Sequence, residues 1–127
     1  MITTGHAADI YDPDTISASR GSLFALPVVR LDGPMEVQSW LETLREGYPD
    51  LTVVAADEKA TTPVWEAELT RPTILLLGNE TWGLSAAMRE LANVSVRIPM
   101  WGTATSLNVA ASASILLYEV SRQRAIS

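Results

Sequence analysis

Thr73-Ile74-Leu75-Leu76-Leu77-Gly78-Asn79-Glu80-Thr81-Trp82-Gly83-Leu84 is the stretch on which the fold turns. Its first half is a continuous apolar run with no polar alternation, stopped by Gly78. That is the pattern of a strand buried on both faces, as in a parallel sheet. Polar residues follow at once, and in open α/β sheets ligands gather outside the carboxyl ends of the strands. Gly78 and Gly83 allow a sharp turn and a close approach to the backbone. Asn79 and Glu80 place polar groups at the rim. A plain strand-to-helix connection has the same composition, so both readings stay open on this stretch alone. No Gly-Lys-Ser/Thr follows, which removes a phosphate loop.

Downstream, Ser85 can cap a helix to about Leu91, and residues 94–99 read as another strand. A glycine loop, Met100-Trp101-Gly102, leads to Ser106, which is expected to open the longest helix, to about Arg124. Free amides at that helix start could hold the polar end of a ligand. Met100 and Leu107 could wall an apolar slot. Ser106 could equally be no more than a cap. The helix is apolar nearly all round until Glu119, Ser121 and Arg122, and such a helix is expected to be buried in a domain or an oligomer.

Upstream, residues 51–56 read as a strand and residues 35–46 as a helix ended by Gly47. Residues 23–29 read as a short buried strand despite Pro27. Asp14 or Thr15 is expected to cap a short helix through residues 17–20. Residues 57–71 are polar and irregular, with a possible short helix at 64–69. Strands alternating with helices predict one α/β domain, a mostly parallel sheet flanked by helices. Four strands are few for such a sheet, which suggests a missing portion on the N-terminal side.

The chain has 127 residues, no cysteine and a single histidine, so disulfides, thiolate metal sites and a histidine-rich metal site are not expected. No apolar stretch reaches the roughly 20 residues needed to span a bilayer. The first twelve residues do not form a signal peptide, and a cytoplasmic location is expected. The net charge of −6 is the wrong sign for a nucleic-acid partner. On charge alone RNA would not be proposed.

Taken as a pair, ILLLGNETWGL at 74–84 and VRIPMWGTATSLNVAASASILLYE at 96–119 resemble the last two motifs of the SpoU family of the SPOUT class. The family pattern is an apolar strand, Gly-Asn-Glu, a Gly, then Ile-Pro-Met, a Gly loop and Ser-Leu-Asn-Val. Residues 7–29 also look like the family's preceding segment, so the resemblance covers essentially the whole chain. It implies a SPOUT-like α/β fold with a C-terminal trefoil knot, a homodimer, and S-adenosylmethionine as methyl donor to a ribose 2'-hydroxyl of ribosomal or transfer RNA. Carried over by position, Leu77, Gly78, Asn79, Gly83, Ile98, Met100, Ser106, Leu107 and Asn108 would hold the cofactor. Glu80, Ser106 and Asn108 would lie on the catalytic side. No metal is implied. The family's first motif, Asn-x-Gly-x-x-x-Arg, with its proposed catalytic arginine, is absent, since Asn79 is the first asparagine. Arg20 and Arg30 stand in the wrong context to replace it. A chain shortened at its N-terminal side, and inactive alone, is therefore expected. The alternative is a knotted module that dimerises and binds S-adenosylmethionine without catalysis.

Overall fold

The structure, a computed structural model, describes residues 1–103 and 106–127. It divides into two compact units, residues 1–42 and 43–127.

In the first unit, β1 (Ile2–Thr4) pairs in parallel with β2 (Val29–Leu31), Ile2 facing Val29. Neither the early strand nor this pairing is signalled by three residues of mixed polarity. α1 (Pro13–Ala18) is capped by Asp12, whose carboxylate accepts from the Asp14 amide at 2.9 Å. The cap falls before the expected Asp14 or Thr15 because Pro13, which has no N–H to satisfy, fits the first helical position. Arg20 and Gly21 then both take left-handed conformations, with φ of 49° and 85°. The strand expected at 23–29 does not form. Ser22–Ala25 is a 3-10 turn launched by Gly21, and Pro27 has no amide for a ladder, so pairing begins only at Val29. Phe24 and Leu26 are consequently exposed. α2 (Pro34–Gly47) starts in this unit and ends in the next; it buries Val37 and Leu41. The Asp32 amide donates to Glu36 at 2.7 Å across its first turn.

The second unit is built on a four-stranded, wholly parallel sheet. Its order is β4 (Thr62–Pro63), β6 (Val94–Arg97), β3 (Thr52–Ala56), β5 (Thr73–Leu76). β3 lies between β6 and β5, with Val53 opposite Ile74 and Ala55 opposite Ser95. Val53, Val54 and Ala55 are essentially inaccessible, as a central strand covered on both faces requires. Asn93 splices the next strand onto β3: its amide donates to the Val53 carbonyl at 2.7 Å and its side chain accepts from the Val53 amide at 2.8 Å. Between β5 and β6 runs α3 (Ala86–Glu90), capped by Ser85 as expected. The two-residue β4 lies in the stretch read as irregular, and the helix expected at 64–69 is a 3-10 turn, Val64–Glu66.

α4 (Val109–Ala125) starts three residues later than expected. Asn108 caps it, accepting from the Ala111 amide at 2.7 Å, while Ser106 stands two residues before the cap. Asparagine and serine are near-equal caps, and composition could not choose between them. Leu116 joins Val54, Val64, Ala67, Leu69 and Val96 in the core. Val120 packs against that core, whereas Ile115, Leu117 and Tyr118 are exposed within the single chain.

Glu119 is buried instead. Its carboxylate takes two bonds from Arg122, at 2.8 and 2.7 Å, and one from Gln123 at 2.9 Å. Gln123 also accepts from the Leu69 amide at 2.9 Å and donates to the Ala67 carbonyl at 3.0 Å. Arg124 donates to the carbonyls of Leu69 and Arg71. The Arg122 hydrogen bond holds the Glu119 carboxyl below its ordinary value of 4.5, against the opposing effect of burial. A depressed folded-state value means that this contribution to stability is complete above about pH 4.5 and is lost as pH falls through the folded value. Chemical denaturation between pH 3 and 7 should show that acid limb, and Glu119→Gln should flatten it, with about 1–3 kcal/mol lost at neutral pH.

Candidate functional site

Three parallel strands end on one side of the second unit, and their outgoing loops enclose a single cleft. Ala56 and Asp57 leave β3, Leu77 to Leu84 leave β5, and Ile98 and Met100 leave β6. The segment entering α4 closes it with Ser106, Leu107, Val109 and Ser112. Its volume is about 450 Å³, within the roughly 300–1,000 Å³ of small-molecule sites.

The loop after β5 is held by its own backbone. Asn79 Oδ1 accepts from the amides of Thr81 at 2.9 Å and Trp82 at 2.6 Å, and the Asn79 carbonyl accepts from Gly83 at 3.0 Å. Asn79 and Gly83 form an antiparallel bridge. The two glycines serve different needs. At Gly78 a Cβ would collide with the Gly83 carbonyl carbon and the Leu84 amide nitrogen, so the chain folds back onto that residue. Gly83 has open space around it but a φ of +67°. Glu80, Thr81 and Trp82 are all exposed.

Opposite lies a polar corner absent from the sequence reading. Asp57, the first residue beyond β3, accepts from the Lys59 amide at 2.9 Å and pairs with Arg89 at 3.2 Å. Arg89 also donates to the Leu84 carbonyl at 3.2 Å, tying α3 to the loop. The position of Asp57 at the carboxyl end of a strand was the available signal. Asp57, Glu58 and Glu80 set three carboxylates on the wall against two cations, Lys59 and Arg89. Leu77, Ile98, Met100 and Leu107 supply half-buried apolar surface.

The expected site residues Leu77, Gly78, Asn79, Glu80, Gly83, Ile98, Met100, Ser106 and Leu107 thus all line one cleft. Asn108 stands beside it, with its side-chain oxygen engaged in the α4 cap. Ala104 and Thr105, in the loop of the second motif, lie outside the described residues. Among the described residues no cluster of three or more His, Asp or Glu could hold a metal ion, and no helix is long and apolar enough to cross a membrane.

Residues 1–118 match the model of the SpoU rRNA Methylase family. The chain belongs to that family. Its likeness to a 23S rRNA (uridine(2479)-2'-O)-methyltransferase of Streptomyces viridochromogenes is 48% identity over 124 residues, 98% of this chain and 43% of that protein. A tRNA (guanosine(18)-2'-O)-methyltransferase of Aquifex aeolicus is 37% identical over 97 residues, 76% of this chain and 44% of the other. Among solved structures, the SpoU methyltransferase AviRb from S. viridochromogenes, in complex with AdoMet, superposes with a TM-score of 0.93 at 48% identity. That match covers 99% of this chain and 50% of the other. An AdoMet-bound rRNA methyltransferase from Sinorhizobium meliloti gives 0.82 at 30% identity, over 96% and 45%. This SpoU chain therefore spans about half the length, or less, of these relatives.

The two glycines make a paired test of the SpoU loop. Gly78→Ala should destabilise the chain by about 1–3 kcal/mol through overpacking against backbone that cannot step aside. Gly83→Ala should cost about 1–2 kcal/mol from its left-handed conformation alone. Urea unfolding of both variants measures the difference, and a neutral Gly78→Ala would contradict the folded-back loop.

Proposed function

We propose that this chain is the S-adenosylmethionine-binding part of an RNA ribose 2'-O-methyltransferase acting on ribosomal or transfer RNA. The observation that carries the reading is the cleft itself: both SpoU motifs bring their residues to one cavity at the carboxyl ends of three parallel strands. The lining fits the donor. S-adenosylmethionine has an uncharged flat base, which suits the apolar surface of Leu77, Ile98, Met100 and Leu107. It also has a cationic sulfur, which suits a wall richer in carboxylates than in cations.

Bound S-adenosylmethionine would supply an electrophilic methyl group. The residues of the chain have three tasks. The apolar wall excludes water and helps fix the approach line, and holding two reactants in line lowers the barrier of a bimolecular transfer. The Asn79-braced loop holds Glu80 at the rim, where its carboxylate can accept the proton of an incoming hydroxyl. Ser106 offers a hydroxyl on the opposite wall, and Asn108 fixes the start of α4. Calorimetry with S-adenosylmethionine should show binding to the 127-residue chain. Leu107→Trp, which fills the slot, should weaken it at least about tenfold, the equivalent of 1.4 kcal/mol. Unchanged affinity in that variant would place the cofactor elsewhere.

A second reading, a cofactor-binding module without catalysis, is favoured by one observation: these residues contain no Asn-x-Gly-x-x-x-Arg. Transfer of labelled methyl groups to total ribosomal and transfer RNA tests this. Under both readings we expect no measurable transfer by residues 1–127 alone; a version extended upstream through an Asn-x-Gly-x-x-x-Arg motif should transfer if the enzyme reading holds, and should lose transfer when that arginine is replaced by alanine. Strong transfer by residues 1–127 would exclude the module and leave Arg20, Arg30 and Glu80 as candidates for the base.

The fold completing this reading is SPOUT-like, with the C-terminal segment threaded as a trefoil knot, in a homodimeric cytoplasmic protein. Supporting the dimer is the apolar surface that α4 leaves open at Ile115, Leu117 and Tyr118. A two-fold contact there would be isologous. Sedimentation should report a dimer at tens of micromolar, on the order of ordinary specific affinities. Leu117→Arg should shift it to monomer, and a monomeric parent chain would count against the interface.

A further inference from the structure

We propose that Trp82 is a stacking platform for an unpaired base of the RNA substrate, an inference that rests on the methyltransferase reading above. Trp82 lines the cleft at its mouth and is 84% exposed. Its backbone is nevertheless fixed, because its amide donates to Asn79 Oδ1 at 2.6 Å and the next residue closes the loop onto the Asn79 carbonyl at 3.0 Å. A large indole held in water on a braced loop contributes nothing to the core of the chain.

Charge argues for a base rather than a phosphate as its partner. The chain carries a net −6, and of the two cations on the cleft wall Arg89 is already paired with Asp57. A phosphate meets little attraction on such a wall, whereas every nucleobase has an uncharged face that stacks on an aromatic ring. Sequence-selective RNA contacts fall mostly on unstacked bases in loops and single strands. Placing a ribose hydroxyl in the cleft also puts its attached base at the mouth. The competing occupant, the adenine of the cofactor, has the half-buried slot of Leu77, Ile98, Met100 and Leu107 available deeper in.

The test uses the full chain saturated with S-adenosylhomocysteine and titrated with a fluorescently labelled single-stranded RNA oligonucleotide, read by anisotropy. The affinity for S-adenosylhomocysteine is measured in parallel by calorimetry. Trp82→Ala should weaken RNA binding by roughly 5- to 150-fold, the span for loss of one base–aromatic stack. Trp82→Phe should recover most of it. Trp65→Ala, at a half-exposed tryptophan away from the cleft, should change nothing. The fold-loss should persist as salt is raised, since no phosphate contact is removed. If Trp82→Ala binds RNA like the parent, the platform is overturned and the methyltransferase reading stands. Weakened S-adenosylhomocysteine binding would make adenine the occupant and overturn it too. Failure of the parent chain to bind RNA overturns the platform, and failure to bind S-adenosylhomocysteine as well removes the methyltransferase reading beneath it.

Discussion

Leu69 is wholly buried yet sits in no strand or helix. Its main-chain N–H and C=O are out of water and must be matched. Gln123 and Arg124 match them, and the same two side chains reach the carbonyls of Ala67 and Arg71. This clasp ties the last turn of α4 to the chain entering β5. It leaves Leu116 in the core beside Val54 and Val96. A helix fixed at one end is fixed at the other. Over the fourteen residues between Val109 and Gln123 the axis runs about 21 Å, so the clasp sets where Val109 and Ser112 meet the cleft. The buried Glu119 belongs to the same arrangement, bonded to Gln123 from the turn before.

The cleft is a product of parallel topology more than of any single residue. Parallel strands place their carboxyl ends on one side, and the ends of β3, β5 and β6 here deliver their loops to one spot. Arg89 then links two of those loops, through Asp57 and through the Leu84 carbonyl. The polar corner and the braced loop are therefore mechanically joined, although Asp57 and Gly78 are 21 residues apart in sequence.

Much of this architecture was legible from residue order. The apolar runs at 51–56 and 73–77, with Ser85 before a helical stretch, announce β3, β5 and α3 because each is decided by local pattern. The failures have two causes, local chemistry that overrides an apolar pattern and partners distant in sequence. Residues 23–29 look like a core strand, but Gly21 and Pro27 deny them a ladder and Phe24 remains in water. β4 has only two residues, with pairing to β6 as its whole basis. Ser106 and Asn108 are equivalent as caps on paper, and the helix is capped by the second. In the site, the motif residues came from the family resemblance, carried by two local stretches in order, and not from a reading of the residues one by one. The Asp57–Arg89 pair was not legible, since no local pattern announces a contact across 32 positions. The cleft carboxylates of Asp57 and Glu58 were hidden for the same reason, in a stretch read only as polar.

The braced loop after β5 has a consequence for how this surface can change over generations. The bonds within it run from the amides of Thr81, Trp82 and Gly83 to Asn79, on a turn that leaves no room for a side chain at Gly78. The side chains at 80, 81 and 82 take no part in that frame, and all three face solvent at the mouth of the cleft. Frame and contact surface are thus separable within six residues. Selection can exchange the side chains at 81 and 82 for other chemistries while the turn beneath stays intact, so the surface at the mouth can change without the cleft behind it being rebuilt.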